Sequence, residues 1–147
     1  MEIERKYLVK SIPDNLDDFP CRIMEQGYLC TAPVIRIRRD NGHYELTYKS
    51  KGLMVRQEYN LPLTEEAYSH LLPKTDGRLI RKRRYMIPLG DGLTIELDLF
   101  EGDLAPLVLA EVEFPDEKSA SSFTPPDWFG EDVTFSGEYH NSTLSQR

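Results

Sequence analysis

The segment LIRKRRYMIPLGDGLTIELDLFE, residues 79–101, is the most informative part of the sequence about the fold. Its residues alternate in type along two runs that flank Gly-Asp-Gly at 90–92, so it predicts two antiparallel strands joined by a hairpin. One face of the first run carries the bases Lys82 and Arg84, and one face of the second carries the acids Glu96 and Asp98. The opposite faces are largely apolar.

The same two-residue alternation recurs along the chain. It predicts eight strands, near residues 2–10, 21–30, 34–40, 43–51, 54–62, 79–88, 93–101 and 107–114. One short helix is expected from Thr64, which can cap it, to about Leu72, where Pro73 follows. A second is expected between Asp116 and Phe123, and an aromatic tail from about Asp127 should pack on the main body.

Size and charge narrow the class of protein. The 147 residues fit one domain, 1–147, with enough apolar content for a core. A net charge of -7 argues against coating duplex nucleic acid. No apolar run reaches membrane-span length, and the opening MEIERK is too charged for a signal peptide, so a cytoplasmic protein is expected. Cys21 and Cys30 lie too far apart on one extended segment to form a disulfide.

Two architectures could explain one charged face per strand. The charged face of an open sheet could meet bulk water, where ion pairs are worth about 0–1 kcal/mol. Alternatively, the strands could close into a barrel with the charges inside. Bases and acids cluster on different strands, which favours the barrel. Enclosed like charges need counter-charges, and an extended polyanion and divalent cations would supply them.

An ordered set of motifs resembles the CYTH superfamily, also called triphosphate tunnel metalloenzymes. The motifs are E-x-E-x-K at Glu2-Ile3-Glu4-Arg5-Lys6, R-x-R at Arg36 and Arg38, K-x-R at Lys82 and Arg84, E-x-D at Glu96 and Asp98, and E-x-E at Glu111 and Glu113. The length and the segments QGYL, ELDLFEG and LAEVEF are most similar to the small bacterial inorganic triphosphatases. The implied fold is mainly β (α+β), a closed eight-stranded antiparallel β-barrel with a few short flanking helices.

The resemblance also implies site residues. The phosphate-binding set is Lys6, Arg36, Arg38, Lys49, Arg56, Lys82 and Arg84, with Lys51 secondary. The Mg²⁺ or Mn²⁺ ligands are Glu2, Glu4, Asp98, Glu111 and Glu113, with Glu58 and Glu96 secondary. Tyr28 and Lys6 are the candidate catalytic residues, with a purely structural role for Tyr28 left open. Arg5, Arg81 and Arg83 have the opposite parity and should point outward, and the three histidines are expected to have no catalytic role.

The implied reaction is hydrolysis of inorganic tripolyphosphate to pyrophosphate and phosphate. The alternatives are another triphosphate substrate (a nucleoside or thiamine triphosphatase, or an adenylate cyclase) and a non-catalytic polyphosphate- or nucleotide-binding module. The acidic pairs argue against the module, because a pure anion binder gains nothing from carboxylates that face its ligand. The expected partner is a small-molecule triphosphate, with neither duplex nucleic acid nor a membrane, and a homodimer is left open.

Overall fold

The computed structural model of the protein describes residues 1–146. Its strands are β1 Glu2–Val9, β2 Cys21–Thr31, β3 Val34–Asp40, β4 His43–Lys49, β5 Val55–Arg56, β6 Glu58–Pro62, β7 Asp76–Gly90, β8 Leu93–Phe100, β9 Val108–Glu113 and β10 Phe129–Asp132. Its α-helices are α1 Glu65–Leu71, α2 Glu117–Ser121 and α3 Asn141–Leu144. Short 3₁₀ turns lie at Leu16–Asp18, Leu72–Lys74 and Gly102–Leu104.

The strands form a nearly closed antiparallel barrel, as the alternation predicted. The order around it is β1-β9-β8-β7-β2-β3-β4-β6. β5 and β6 are separated by Gln57 alone and together correspond to the strand predicted at 54–62. β6 pairs with β4, whereas β5 pairs with β1 through Glu2 opposite Arg56 and Ile3 opposite Val55. This two-residue pairing closes the ring.

The structure extends the predicted elements in three places. β7 begins at Asp76 and not at residue 79, because β2 continues the ladder far enough to pair Tyr28 with Asp76. β10 was not predicted, since its four residues include a glycine and lack clear alternation; it pairs with β1 at Tyr7 and Val9. The short helix α3 was not predicted either.

The two predicted helices are confirmed, together with their caps. The backbone N–H of Ala67 donates to Thr64 Oγ1 at 3.0 Å, and that of Ser119 donates to Asp116 Oδ1 at 2.7 Å. None of the helices described in residues 1–146 has the length and apolar character needed to cross a membrane. Cys21 and Cys30 are free, as expected.

The apolar core lies on the outer side of the barrel. Tyr7 packs between Phe123 and Phe129, with ring centroids 6.2 and 5.0 Å away, so the stretch after α2 and β10 cover the outer face of β1. On another side, α1 is fixed by the Tyr68 hydroxyl, which donates to Glu25 Oε1 at 2.9 Å. Since the apolar faces are buried outside, the inner faces are left to polar and charged side chains.

Candidate active site

The barrel encloses a polar cavity of about 260 Å³. Its lining includes the inward-predicted residues Glu2, Glu4, Lys6, Arg36, Arg38, Lys49, Arg56, Arg84, Glu96, Glu111 and Glu113. Lys82 and Asp98 are fully buried beside Arg84. The alternative of an open sheet with a solvated charged face is therefore wrong. Lys51 lies outside this cavity and is exposed.

The residues expected to point outward do so. Arg5 pairs with Asp132 on β10, and Arg83 Nε lies 3.7 Å from Glu101 Oε2. Arg81 Nε donates to Glu25 Oε2 at 3.0 Å on the outer surface of β2. These cations take part in external contacts and leave the interior to residues of the other parity.

Arg38 is a buried cation without an acidic partner among residues 1–146. Only 8% of its surface is exposed, and its Nε donates to Gln26 Oε1 at 2.9 Å. Gln26 in turn donates to the Tyr28 hydroxyl at 3.0 Å. Burial, aided by the charges of Arg36 and Arg84, lowers the pKa of Arg38 to about 10. The guanidinium still stays charged at neutral pH, so the cavity offers a positive charge that an anion would stabilise.

Most other cavity bases form ion pairs, so the predicted basic and acidic sectors interlock. Asp98 accepts from Lys82 Nζ at 2.7 Å and from Arg84 Nε and Nη2 at 2.7 and 2.9 Å. Glu2 accepts from Lys49 Nζ at 3.0 Å and lies 3.7 Å from Arg56 Nη2. The Asp98 contacts form because basic β7 is paired directly with acidic β8, with Arg84 opposite Asp98, and the Glu2 contacts form where β5 pairs with β1.

Three carboxylates converge in the cavity. Oxygens of Glu4, Glu96 and Glu111 lie within 4.8 Å of one another, projected from the neighbouring strands β1, β8 and β9. Burial, with the charges of Glu111 and Glu2, raises the pKa of Glu4 to about 8. Oε1 of Glu111 makes no hydrogen bond within the described residues, although Lys6 Nζ lies 3.4 Å away. Buried carboxylates with spare oxygens fit a hard divalent cation such as Mg²⁺ or Mn²⁺.

This cluster differs from the predicted ligand set. It brings together Glu4 and Glu111 and adds the secondary candidate Glu96, one oxygen of which accepts from Arg84 Nη1 at 3.2 Å. In Glu2 and in Asp98, by contrast, both oxygens are hydrogen-bonded to bases. Glu113 lies opposite Glu4 in the β-ladder and is exposed at the cavity rim. The difference has a physical origin, since alternation shows which carboxylates face inward but not which of them meet a cation.

The two candidate catalytic residues lie in this interior. Tyr28 is 3% exposed and lines the cavity. Lys6 Nζ donates to the backbone oxygen of Tyr139 at 3.0 Å. Burial lowers the pKa of Lys6, but Glu111 and Glu4 outweigh it, and the net shift is upward. Lys6 is therefore a cation at neutral pH and not a base.

Sequence reasoning missed the contribution of the C-terminal tail. His140, Asn141 and Ser142 line the cavity, and Asn141 Oδ1 accepts from Lys82 Nζ at 3.3 Å. Burial, with the charges of Lys6 and Arg56, lowers the pKa of His140 to about 4. The tail has no alternation to show its inner face, so residue periodicity carried no signal of this contribution.

Comparisons with known proteins agree with this geometry. The CYTH domain family matches residues 1–147. An inorganic triphosphatase of Nitrosomonas europaea is 45% identical over 148 residues, covering 98% of this chain and 96% of that protein. Another, from Acetivibrio thermocellus, is 33% identical over 155 residues, with 97% and 92% covered. A crystal structure of the inorganic triphosphatase NE1496 superposes with a TM-score of 0.74 at 41% identity, covering 100% of this chain and 95% of that one.

Proposed function

This chain belongs to the CYTH domain family, and we propose that it is a divalent-metal-dependent enzyme that hydrolyses inorganic tripolyphosphate to pyrophosphate and phosphate. Two relatives that it matches over almost their full length carry the name inorganic triphosphatase. The observation that carries the proposal is one enclosed cavity that holds both the unpaired cation Arg38 and the carboxylate cluster of Glu4, Glu96 and Glu111. A bound triphosphate would supply the negative charge that Arg38 lacks as a partner, and its divalent metal would supply the positive charge that the carboxylate cluster lacks.

In the proposed complex the basic side chains bind and align the triphosphate. Arg38 and Arg36 offer guanidinium donors to phosphate oxygens, and Gln26 fixes the orientation of the Arg38 fork. Arg84 already donates from Nε and Nη2 to Asp98 and from Nη1 to Glu96 Oε2 at 3.2 Å, so it would contribute mainly positive potential. A substrate held in line in this way loses little further freedom on reaching the transition state.

The proposed metal site consists of Glu4, Glu96 and Glu111, with Glu113 at the rim. When bound there, a divalent cation supplies charge neutralisation at phosphate oxygens and acidifies a bound water. The raised pKa of about 8 keeps Glu4 largely protonated at neutral pH in the metal-free protein. Glu4 must therefore lose its proton when it binds a metal as a carboxylate ligand. Glu2 and Asp98 orient bases in this arrangement and do not act as primary ligands.

Lys6 and Tyr28 have the best positions for the chemical step. The charged ammonium of Lys6, beside Glu111, would stabilise negative charge on the transferred phosphoryl group. The Tyr28 hydroxyl accepts from Gln26, which leaves its own proton available to a phosphate oxygen. We propose both as catalytic residues on these grounds.

The proposal also covers the oligomeric state and the cellular location of the enzyme. All the residues of the proposed site come from one chain of a single domain, so a homodimer is not required for catalysis. Its two free thiols suit the reducing cytoplasm.

A phosphate-release panel tests the function. Tripolyphosphate, ATP, thiamine triphosphate and pyrophosphate would each be assayed with Mg²⁺, with Mn²⁺ and with excess EDTA. We expect tripolyphosphate to be the best substrate and turnover to vanish in EDTA. Preferred hydrolysis of ATP would assign a nucleotide substrate, and tight tripolyphosphate binding without turnover in either metal would identify a binding module.

A further inference from the structure

A second, smaller cavity adjoins the first beside β4 and β5. It has a volume of about 120 Å³ and shares Val34, Lys49, Arg56, His140 and Ser142 with the main cavity. Its remaining lining comes from two loops, residues 31–33 and residues 50–52. The two cavities therefore adjoin at these five residues, which is the border that a chain-like ligand in the first would cross to enter the second.

The side cavity has the chemistry of an anion site. Its lining carries the cations Lys49, Lys51 and Arg56 together with the hydroxyls of Ser142 and Thr31. No carboxylate lines it among residues 1–146, although Lys49 and Arg56 contact Glu2 on the side of the main cavity, so Lys51 is the cation of this lining that has no ion pair in those residues. A single water needs only about 10–15 Å³ of such space, so the side cavity has room for a group larger than water, such as one phosphoryl group.

Local backbone geometry keeps Lys51 at this cavity. Gly52 has φ +138, and a Cβ at this position would lie 2.2 Å from the backbone oxygen of Val55. Only glycine permits this close return of the loop towards β5. Ser50 Oγ also accepts from the N–H of Gln57 at 2.9 Å, and the N–H of Ser50 donates to the Gln57 carbonyl at 3.0 Å, so the start of the loop is hydrogen-bonded to the residue between β5 and β6. The Lys51 ammonium forms no ion pair within the described residues and stays available to a ligand.

His140 connects the two cavities, because its side chain lines both. Its carbonyl accepts the N–H groups of Thr143 and Leu144 at 2.9 Å each, which fixes the residue at the start of α3. A half-buried imidazole between cationic neighbours can donate one hydrogen bond to an anion.

We propose that the side cavity is a fourth phosphate subsite, in which Lys51 and His140 bind the terminal phosphate group of an inorganic polyphosphate longer than tripolyphosphate. The inference rests on the proposed function, since it requires the first three phosphates to lie in the main cavity. A phosphate group could also reach the site as free orthophosphate, and the experiment separates these two sources.

Calorimetric titration in EDTA tests the subsite independently of turnover. Tripolyphosphate, tetrapolyphosphate and orthophosphate would be titrated, at matched ionic strength, into the wild type and into Lys51→Ala, His140→Gln and Lys118→Ala. Lys118 is an exposed lysine on α2 that lines neither cavity, so its variant controls for the loss of one positive charge. Thermal unfolding of each variant checks that it is folded.

The readout is the ratio of the tripolyphosphate Kd to the tetrapolyphosphate Kd. We expect a ratio of roughly five in the wild type and in Lys118→Ala, because one additional exposed charge contact strengthens the binding of tetrapolyphosphate by about that factor. In Lys51→Ala and His140→Gln we expect a ratio near one. A wild-type ratio of one, or a ratio that neither variant changes, overturns the inference. Orthophosphate binding that depends on Lys51 without any gain for tetrapolyphosphate assigns the site to free phosphate and refutes the polyphosphate occupant. Failure of the wild type to bind tripolyphosphate at all counts instead against the proposed function.

Discussion

Replacing Glu4 by glutamine is expected to stabilise the metal-free protein while removing its activity. Glu4 is 8% exposed, and it converges with Glu96 and Glu111. Desolvation and carboxylate repulsion make its ionised form unfavourable, which is why its pKa rises to about 8. Glutamine keeps the shape of the side chain and removes the charge. The variant therefore has no ionisation cost but loses a proposed metal ligand.

The raised pKa sets both the size and the pH window of this effect. The stabilising contribution of neutral Glu4 is fully present below pH 4.5, which is the ordinary pKa of a glutamate side chain. It is lost as the pH rises towards about 8, the raised pKa of Glu4 in the folded protein. At about 1.36 kcal/mol per pKa unit, the glutamine variant gains of order 3 kcal/mol in free energy of unfolding at pH 7 and about 5 kcal/mol at pH 9. At pH 5 the gain should be below about 1 kcal/mol.

Urea denaturation in EDTA at pH 5, 7 and 9 measures this difference, with initial rates of phosphate release measured in parallel. Glu131→Gln, at an exposed position on β10, controls for a glutamate-to-glutamine change outside the cavity. Saturating Mg²⁺ should stabilise the wild type, by about 2.7 kcal/mol at a hundredfold excess over Kd, and the Glu4 variant much less. The reasoning is refuted if the variant is no more stable than the wild type at pH 9 in EDTA, or if it keeps wild-type turnover at saturating metal.

Four further substitutions separate the roles of cavity and surface. Arg38→Gln should weaken tripolyphosphate binding by roughly one to two powers of ten in calorimetry without lowering the free energy of unfolding, because this cation has no acidic partner in residues 1–146. Arg84→Gln should instead cost about 3–5 kcal/mol in urea denaturation, since it leaves Asp98 without its two-pronged partner; equal stability of these two arginine variants would contradict the difference. Tyr28→Phe should lower kcat with KM almost unchanged, and an unchanged kcat would make this tyrosine structural. Tyr68→Phe, which removes the hydroxyl that donates to a carboxylate on β2, should cost about 1–2 kcal/mol of stability with kcat retained; a loss of kcat in the folded variant would show that the outer surface affects catalysis.

The alternation of residue types predicted the barrel and its inner face, because a strand's period of two assigns every side chain to one side. It could not predict which inner charges pair. Lys49 meets Glu2 across 47 sequence positions, and this contact depends on how β5 closes the ring. Glu96 and Asp98 have the same parity, but only the register of β7 against β8 places Asp98 opposite Arg84 and leaves Glu96 to join the carboxylate cluster.

Residue alternation could not predict the structure of the C-terminal tail either, for a different reason. β10 forms on the edge that β1 presents outside the ring, so its four residues depend on a partner strand more than on their own alternation. His140 reaches the cavity only because the chain returns to the barrel after β10. Such positions are set by tertiary contacts, and local sequence carries no signal of them.

The hydrogen bonds that Asp98 accepts from both Lys82 and Arg84 limit how the cavity can be redesigned. A change to any one of the three leaves buried charge uncompensated, so the trio has to be exchanged as a unit, and the effects of single substitutions will not add. Arg38 makes no ion pair with this trio, and its side-chain hydrogen bond goes to the amide of Gln26. A library that aims to retune anion selectivity should therefore diversify position 38 and keep the trio constant, since a change at position 38 leaves no buried carboxylate without its ion pair.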